Sequence, residues 1–424
     1  MWESIKAFLR SWGLVIIITV AGLAVAWRFV SPAPPETVRF AVSSNPQSVY
    51  TQTVDAYAKG LEAEKFKVER VATQGSADNV RLLREGKVDL ALVQGGVAPA
   101  VGGDRLVSLG QVFFEPAWFF IRAQQGGGSP VQALRGQRVA IGPEGSGTRI
   151  LALALLAANG LGADAIQADP LAGNEAAEAL ASGQVQAAVF VSARPNDAIN
   201  KLMRTPGVTL LNFASRADAY AANLPYLNPA RLPNAGLSLQ EDLPRGDVTM
   251  MAPAASLLAR DDLNPQVAAL MMQILRDTHK GRTLFSAEGR FPSGLNHEVP
   301  LQEDAQRYYE RGPSFLQSYL PFWLAVTVDR LWVLLIPLVT LLLPLIRIAP
   351  SIYSWQMDRQ LWAIYDKVRK VEEASEKGLS MQTAAKLDAL DKEAEKLKLP
   401  DSYAEKIYEL RRHIAFVREK KAEA

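Results

Sequence analysis

The sequence predicts an α/β protein: one two-lobed domain flanked by N- and C-terminal transmembrane helices and followed by a C-terminal helical hairpin. Three observations carry this expectation. Short apolar strand patterns alternate with helical ones between residues 38 and 280, the mark of a largely parallel sheet covered by helices. Two small-residue turns, Thr73-Gln74-Gly75-Ser76-Ala77-Asp78-Asn79 and Gly142-Pro143-Glu144-Gly145-Ser146-Gly147-Thr148, each follow a strand pattern and open a helical one. Apolar runs at residues 14–30 and 331–346 bracket the alternating region.

Composition narrows the function. With 424 residues, 49% of them hydrophobic, the chain can bury more than one core. A net charge of +2 offers no broad basic surface, so nucleic acid is not an expected partner. The absence of cysteine excludes disulfides, thiolate metal sites and thiol nucleophiles. His279, His297 and His413 are far apart, and no paired carboxylates or activated nucleophile stand at useful spacing. No catalytic residue, metal or other cofactor is expected.

Residues 1–13 form a short tail whose Lys6 and Arg10 place it in the cytoplasm. Residues 14–30 read as a signal anchor; a cleaved signal peptide is the alternative, against which Trp27 and Arg28 make a poor cleavage junction. The proline-rich stretch at 31–36 is a stiff spacer. Lobe 1 takes residues 37–125 and 245–300, and lobe 2 takes 130–240, with the crossover at Gly126-Gly127-Gly128-Ser129-Pro130. Residues 301–330, carrying Phe315, Tyr319, Phe322 and Trp323, read as an amphipathic juxtamembrane segment. Residues 331–349 read as a second spanning helix with Trp332 and Arg347 as interface anchors, or as a buried core helix.

The tail at 350–424 carries two apolar stripes. One is Leu387, Leu390, Ala394 and Leu397; the other is Tyr403, Ile407, Leu410, Ile414 and Val417. Ser402 with Glu405 makes a capping box before the second, so the pair reads as a hairpin or coiled coil. It packs within the chain or between copies, which makes a homo-oligomer through these helices a second expectation. Together the flanks imply a membrane protein with both termini cytoplasmic and its main domain on the other side of the membrane.

Each small-residue turn points backbone N–H groups and a helix's positive end at whatever sits above it, which suits an anionic or zwitterionic small molecule. The candidate ligand-binding residues are therefore Gly75, Ser76 and Asn79 in the first turn and Gly145, Ser146, Gly147 and Thr148 in the second. Helix capping alone accounts equally well for Ser76 and Asn79. The second turn lacks the lysine of a phosphate loop, with Arg149 in its place. Gln94 closes the third strand at a cleft position. Glu115, before Pro116, either pins a hinge or accepts a ligand amine. Arg194 can pair with a carboxylate, and Ser43, Ser44 and Tyr50 complete the set.

A more specific likeness rests on the order of several segments. These are Tyr50, Gly75-Ser76-Ala77-Asp78-Asn79, Glu85-Gly86-Lys87-Val88-Asp89, Leu134-Arg135-Gly136-Gln137-Arg138-Val139, the Gly142-to-Thr148 turn, and Ala179-Leu180-Ala181-Ser182-Gly183. Over residues 36–290 this order resembles the TAXI family of extracytoplasmic solute receptors associated with TRAP transporters, in a membrane-anchored branch. The resemblance implies a type II periplasmic-binding-protein-like domain that closes on a small carboxylate or amino acid and works with TRAP-type membrane subunits. It also implies a contact role for Tyr50, which packed core would explain as well, and a place at the bacterial inner membrane with the main domain periplasmic and both termini cytoplasmic. Two departures stand out: Ser43-Ser44-Asn45-Pro46-Gln47 replaces a glycine-rich turn, and Gln94-Gly95-Gly96 replaces Gln-Ser-Asp. A receptor that signals to its own helical tail is the alternative to transport.

Overall fold

The computed structural model describes residues 34–46, 48–122, 131–295, 298–312, 357–374, 381–397 and 399–422, with isolated positions between 17 and 24 and between 324 and 355. The chain divides into two compact units, residues 32–326 and residues 1–31 with 327–424.

The larger unit contains eleven named strands: β1 (Thr37–Ser43), β2 (Lys67–Thr73), β3 (Leu90–Gln94), β4 (Leu106–Phe114), β5 (Ala117–Arg122), β6 (Arg138–Ala140), β7 (Gln167–Asp169), β8 (Ala187–Val191), β9 (Val208–Leu210), β10 (Leu227–Leu232) and β11 (Val248–Arg260). The first sheet runs β10-β11-β3-β1-β2, with β4 also paired to β11. Here β1 is parallel to both β2 and β3, whereas β11 is antiparallel to its neighbours. The second sheet runs β7-β6-β8-β5-β9, with β6 parallel to β7 and β8 and with β5 antiparallel to β8 and β9.

Helices cover both sheets because their apolar stripes face inward. Val54, Tyr57, Ala58 and Leu61 are the buried face of the Val49–Ala63 helix, capped by Ser48, and they meet Phe40 and Leu90 in the core of lobe 1. Leu151, Leu155 and Leu156 of the Gly147–Ala158 helix meet Val139, Ile141 and Val189 in lobe 2. Asn264 caps the Pro265–His279 helix, whose first residue is the proline that position tolerates best.

Two of the crossings between the lobes meet. Glu115-Pro116 joins β4 of the first sheet to β5 of the second. The long β11 pairs with β10 through Val248–Pro253, where Met251 packs into lobe 2, and then enters the first sheet between β3 and β4. The Glu115 N–H donates to the Pro253 carbonyl at 2.9 Å, so the two crossings are tied at one point.

Several boundaries differ from the sequence reading. β5, read as lobe 1, belongs to the second sheet, so the crossing comes at Glu115-Pro116. The glycine-rich stretch that was expected to make it lies outside the described residues. The Glu303–Arg311 helix, read as juxtamembrane, joins the core of lobe 1: Ala305 is fully buried and the Tyr309 hydroxyl donates to the Leu109 carbonyl at 2.9 Å. The expected spans at 14–30 and 331–349 fall almost wholly outside the described residues. Among the described residues no helix is long and apolar enough to cross a membrane, so the flanking transmembrane helices have no support in the structure.

In the smaller unit, the helical stretch 357–374 packs with the Met381–Glu395 and Ala404–Ala422 helices. The expected stripes meet here: Leu387, Leu390 and Ala394 contact the cluster that holds Leu410, Ile414 and Val417. Met357, Leu361, Ile364 and Val368 supply a third face, recurring at spacings of four and three. The hairpin is thus part of a three-helix core. Ion pairs Lys406–Asp358 (2.7 Å) and Arg411–Asp391 (2.8 Å) cross between its segments at the surface, where solvent screens them.

Candidate functional site

The two turns face each other across the lobes. Gly75 has φ +143° and Gly145 has φ +76°, conformations that favour glycine. A Cβ built on Gly75 would lie 3.6 Å from the Ser146 Cα and 3.7 Å from the Gly145 carbonyl oxygen, so backbone meets backbone at this seam. Each turn ends at a helix start, Ser76–Arg84 in lobe 1 and Gly147–Ala158 in lobe 2. The first N–H groups of each helix have no acceptor within it.

The side chains around the seam are buried and hydrogen bonded. Gln94, at the carboxyl end of β3, has its own N–H bonded to the Ser76 Oγ at 3.1 Å and donates through Nε2 to the Gly147 carbonyl at 2.9 Å. The Ser76 hydroxyl also reaches the Tyr50 oxygen. The Tyr50 hydroxyl in turn donates to Glu115 Oε2 at 2.7 Å. A continuous polar line therefore runs from the seam through lobe 1 to the crossing. Burial raises the Glu115 carboxyl from 4.5 to about 7, against the opposing pull of the Tyr50 hydrogen bond. The Tyr50 hydroxyl is held well above its ordinary range by burial and by the adjacent Glu115.

Other expected residues take different places. Asn79 points into lobe 1, where it accepts from Thr73 Oγ1 at 2.5 Å and donates to the Leu92 carbonyl at 2.7 Å. Ser146 caps its helix by accepting from the Arg149 N–H at 3.2 Å, and it donates to the Pro143 carbonyl at 2.7 Å. Thr148 is half-buried beside Gly142. Ser43 and Ser44 lie at the end of β1, where the Ser44 N–H reaches the Thr73 carbonyl at 3.2 Å. Arg194 is exposed, on a loop whose neighbour Ala193 packs against the lobe 1 core.

A second meeting of the lobes was not foreseen. The Gly96 N–H donates to Glu298 Oε1 at 2.7 Å, and a Cβ on Gly96 would strike the Tyr226 ring at 2.7 Å. Burial raises the Glu298 carboxyl, and burial beside Glu298 raises the Tyr226 hydroxyl to about 12. Neither residue sits in a motif, and only Gly95-Gly96 hinted at a close approach. Among the described residues no group of three or more histidines and carboxylates is placed to hold a metal ion.

A profile of the NMT1-like family matches residues 52–312, which take in lobe 2, lobe 1 after β1, and both turns. The chain belongs to the NMT1-like family. Solved structures similar to this NMT1-like chain include a protein of Bordetella bronchiseptica RB50, at 17% identity over 58% of this chain and 71% of that one, with a TM-score of 0.42. They also include the alkanesulfonate-binding protein SsuA from Xanthomonas axonopodis pv. citri bound to MOPS, at 16% identity over 58% and 80%, with a TM-score of 0.32. A third is the amino acid ABC transporter substrate-binding protein AbpA from Streptococcus pneumoniae bound to L-arginine, at 13% identity over 57% and 88%, with a TM-score of 0.35.

Proposed function

We propose that the two-lobed domain of this NMT1-like protein is a non-catalytic solute receptor that captures a small carboxylate or amino acid between the turns at 73–79 and 142–148. The carrying observation is that these helix-opening turns, from different lobes, come together at one seam while the Glu115-Pro116 and β11 crossings are tied at one point. Two lobes joined in this way can part and close, and a ligand between them gains N–H groups from both. Ser76, Ser146, Gly147 and Thr148 are the proposed contacts, with Gln94 between them at the seam, Tyr50 and Glu115 linking the seam to the hinge, and Ser43, Ser44 and Arg194 at its rim.

In this reading the apolar runs at 14–30 and 331–349 tether the domain to the inner membrane, outside the cytoplasm, and TRAP-type membrane subunits receive the solute. The buried three-helix core of residues 357–422 favours a second reading, because a folded tail gives a sensor something to move. The screen that tests solute binding is thermal unfolding of the full chain in detergent micelles against common L-amino acids and short mono- and dicarboxylates. A compound at 100 times its dissociation constant raises stability by ~2.7 kcal/mol. Topology is checked separately with phosphatase fusions, active at position 240 and inactive at the C-terminus.

A further inference from the structure

Gln94 is 4% exposed, and its two ends serve different lobes. Its backbone is fixed to lobe 1 through the Ser76 hydroxyl, at 3.1 Å, and through the ladder between β3 and β11. Its side chain reaches into lobe 2, where Nε2 meets the Gly147 carbonyl at 2.9 Å. The fit is close: a Cβ on Gly147 would fall 2.5 Å from Gln94 Oε1 and 2.8 Å from its Cδ. Space between the two helix openings is thus taken by a carboxamide belonging to the chain itself.

We propose that the Gln94 side chain is a built-in occupant of the cleft, which latches the lobes together without a ligand and must be displaced for one to enter. The latch also narrows the ligand class, a step that rests on reading the cleft as a solute site. The Gly147 carbonyl is the group that Gln94 leaves behind. A carboxylate oxygen set against that carbonyl is repelled, whereas an ammonium or amide N–H restores the lost hydrogen bond. The ligand is therefore one that carries an N–H donor beside its acceptor group, an amino acid or a small amide, and simple carboxylates are poor substitutes.

The chain has no cysteine, so spin labels can be placed by single introductions. Glu62→Cys on lobe 1 and Glu175→Cys on lobe 2 are both exposed positions. Electron–electron distance measurements on the full chain in micelles, without added solute, give one short, narrow distribution when Gln94 is present. Gln94→Ala, Gln94→Glu and Gly147→Ala each shift it to longer, broader distances. A distribution unchanged in all three variants, or already broad with Gln94 intact, overturns the latch.

In the same proteins, asparagine and glycinamide stabilise Gln94→Ala at concentrations about tenfold lower than they stabilise the parent, since nothing has to be displaced. Succinate matching asparagine on the parent overturns the donor requirement. If no compound stabilises any variant, the solute-receptor reading falls, and the distance measurement still decides the latch.

Discussion

The Tyr50 hydroxyl donates to Glu115 Oε2 at 2.7 Å, which binds the first helix of lobe 1 to the residue where the chain crosses into lobe 2. The Ser76 hydroxyl reaches the same tyrosine, so two side chains join the seam to the Glu115 crossing.

That carboxyl makes the hinge sensitive to pH. Burial raises Glu115 from 4.5 to about 7, so the folded protein holds a proton that the unfolded chain has lost between those values. The raised group's contribution is fully present below pH 4.5 and is lost as pH rises through 7. At about 1.4 kcal/mol per pKa unit, ionisation removes roughly 3 kcal/mol by pH 8. Glu115→Gln keeps an acceptor for Tyr50 and has no such loss. Urea unfolding should show it more stable than the parent at pH 8 and equal to it at pH 4.

His279 acts in the opposite direction. It is half-buried against Tyr57, with Nε2 2.6 Å from the tyrosine hydroxyl, and desolvation lowers it from 6.5 to about 4. Its contribution is present above pH 6.5 and is lost as pH falls through 4, by roughly 3 kcal/mol. His279→Gln, which retains an acceptor for Tyr57, should flatten the acid side of the stability profile between pH 6.5 and 4. An unchanged acid limb assigns the loss to other groups.

Much of this arrangement was legible in the sequence, and the missing parts share a physical cause. Val38, Phe40 and Val42 announce β1, and the glycines at 75 and 145 announce turns whose positive φ needs them. The seam itself could be read only as two helix openings, since nothing local joins Gln94 to Gly147 or Tyr50 to Glu115 across 53 and 65 residues. β5 misled because Ala117–Arg122 is apolar throughout its first four residues and suits a buried strand in either sheet. The Glu303–Arg311 helix reads together with the aromatic stretch Phe315, Tyr319, Phe322 and Trp323 that follows it, yet its own Tyr308 and Tyr309 pack on lobe 1.

The two turn serines should differ in how much stability each supplies. Ser76→Ala leaves the buried Gln94 N–H without its acceptor and should lower stability by ~1–3 kcal/mol. Ser146→Ala removes a helix cap at a half-buried position and should cost ~1 kcal/mol. Chemical denaturation of both variants orders them, and a larger loss in Ser146→Ala contradicts the hydrogen-bond assignment.

The tail is open to a test that leaves the lobes alone. Leu410 is fully buried and Ile414 nearly so within the three-helix core. Replacing both with Asp buries unpaired charge, which is costly enough to open a bundle of this size. Limited proteolysis of the full-length double variant should cut within 357–422 and leave 34–312 intact. Protection equal to the parent would mean that the stripe does not hold the helices together.

The central claim, a small molecule held between two helix-opening turns, is tested most directly by hydrogen–deuterium exchange on the full chain, with and without the most stabilising amino acid or amide from the thermal screen. The account requires slowed exchange in both segments, 74–79 and 143–149, at the same added concentration. Protection in one lobe alone, protection confined to other segments, or a screen in which no compound stabilises the chain would contradict it.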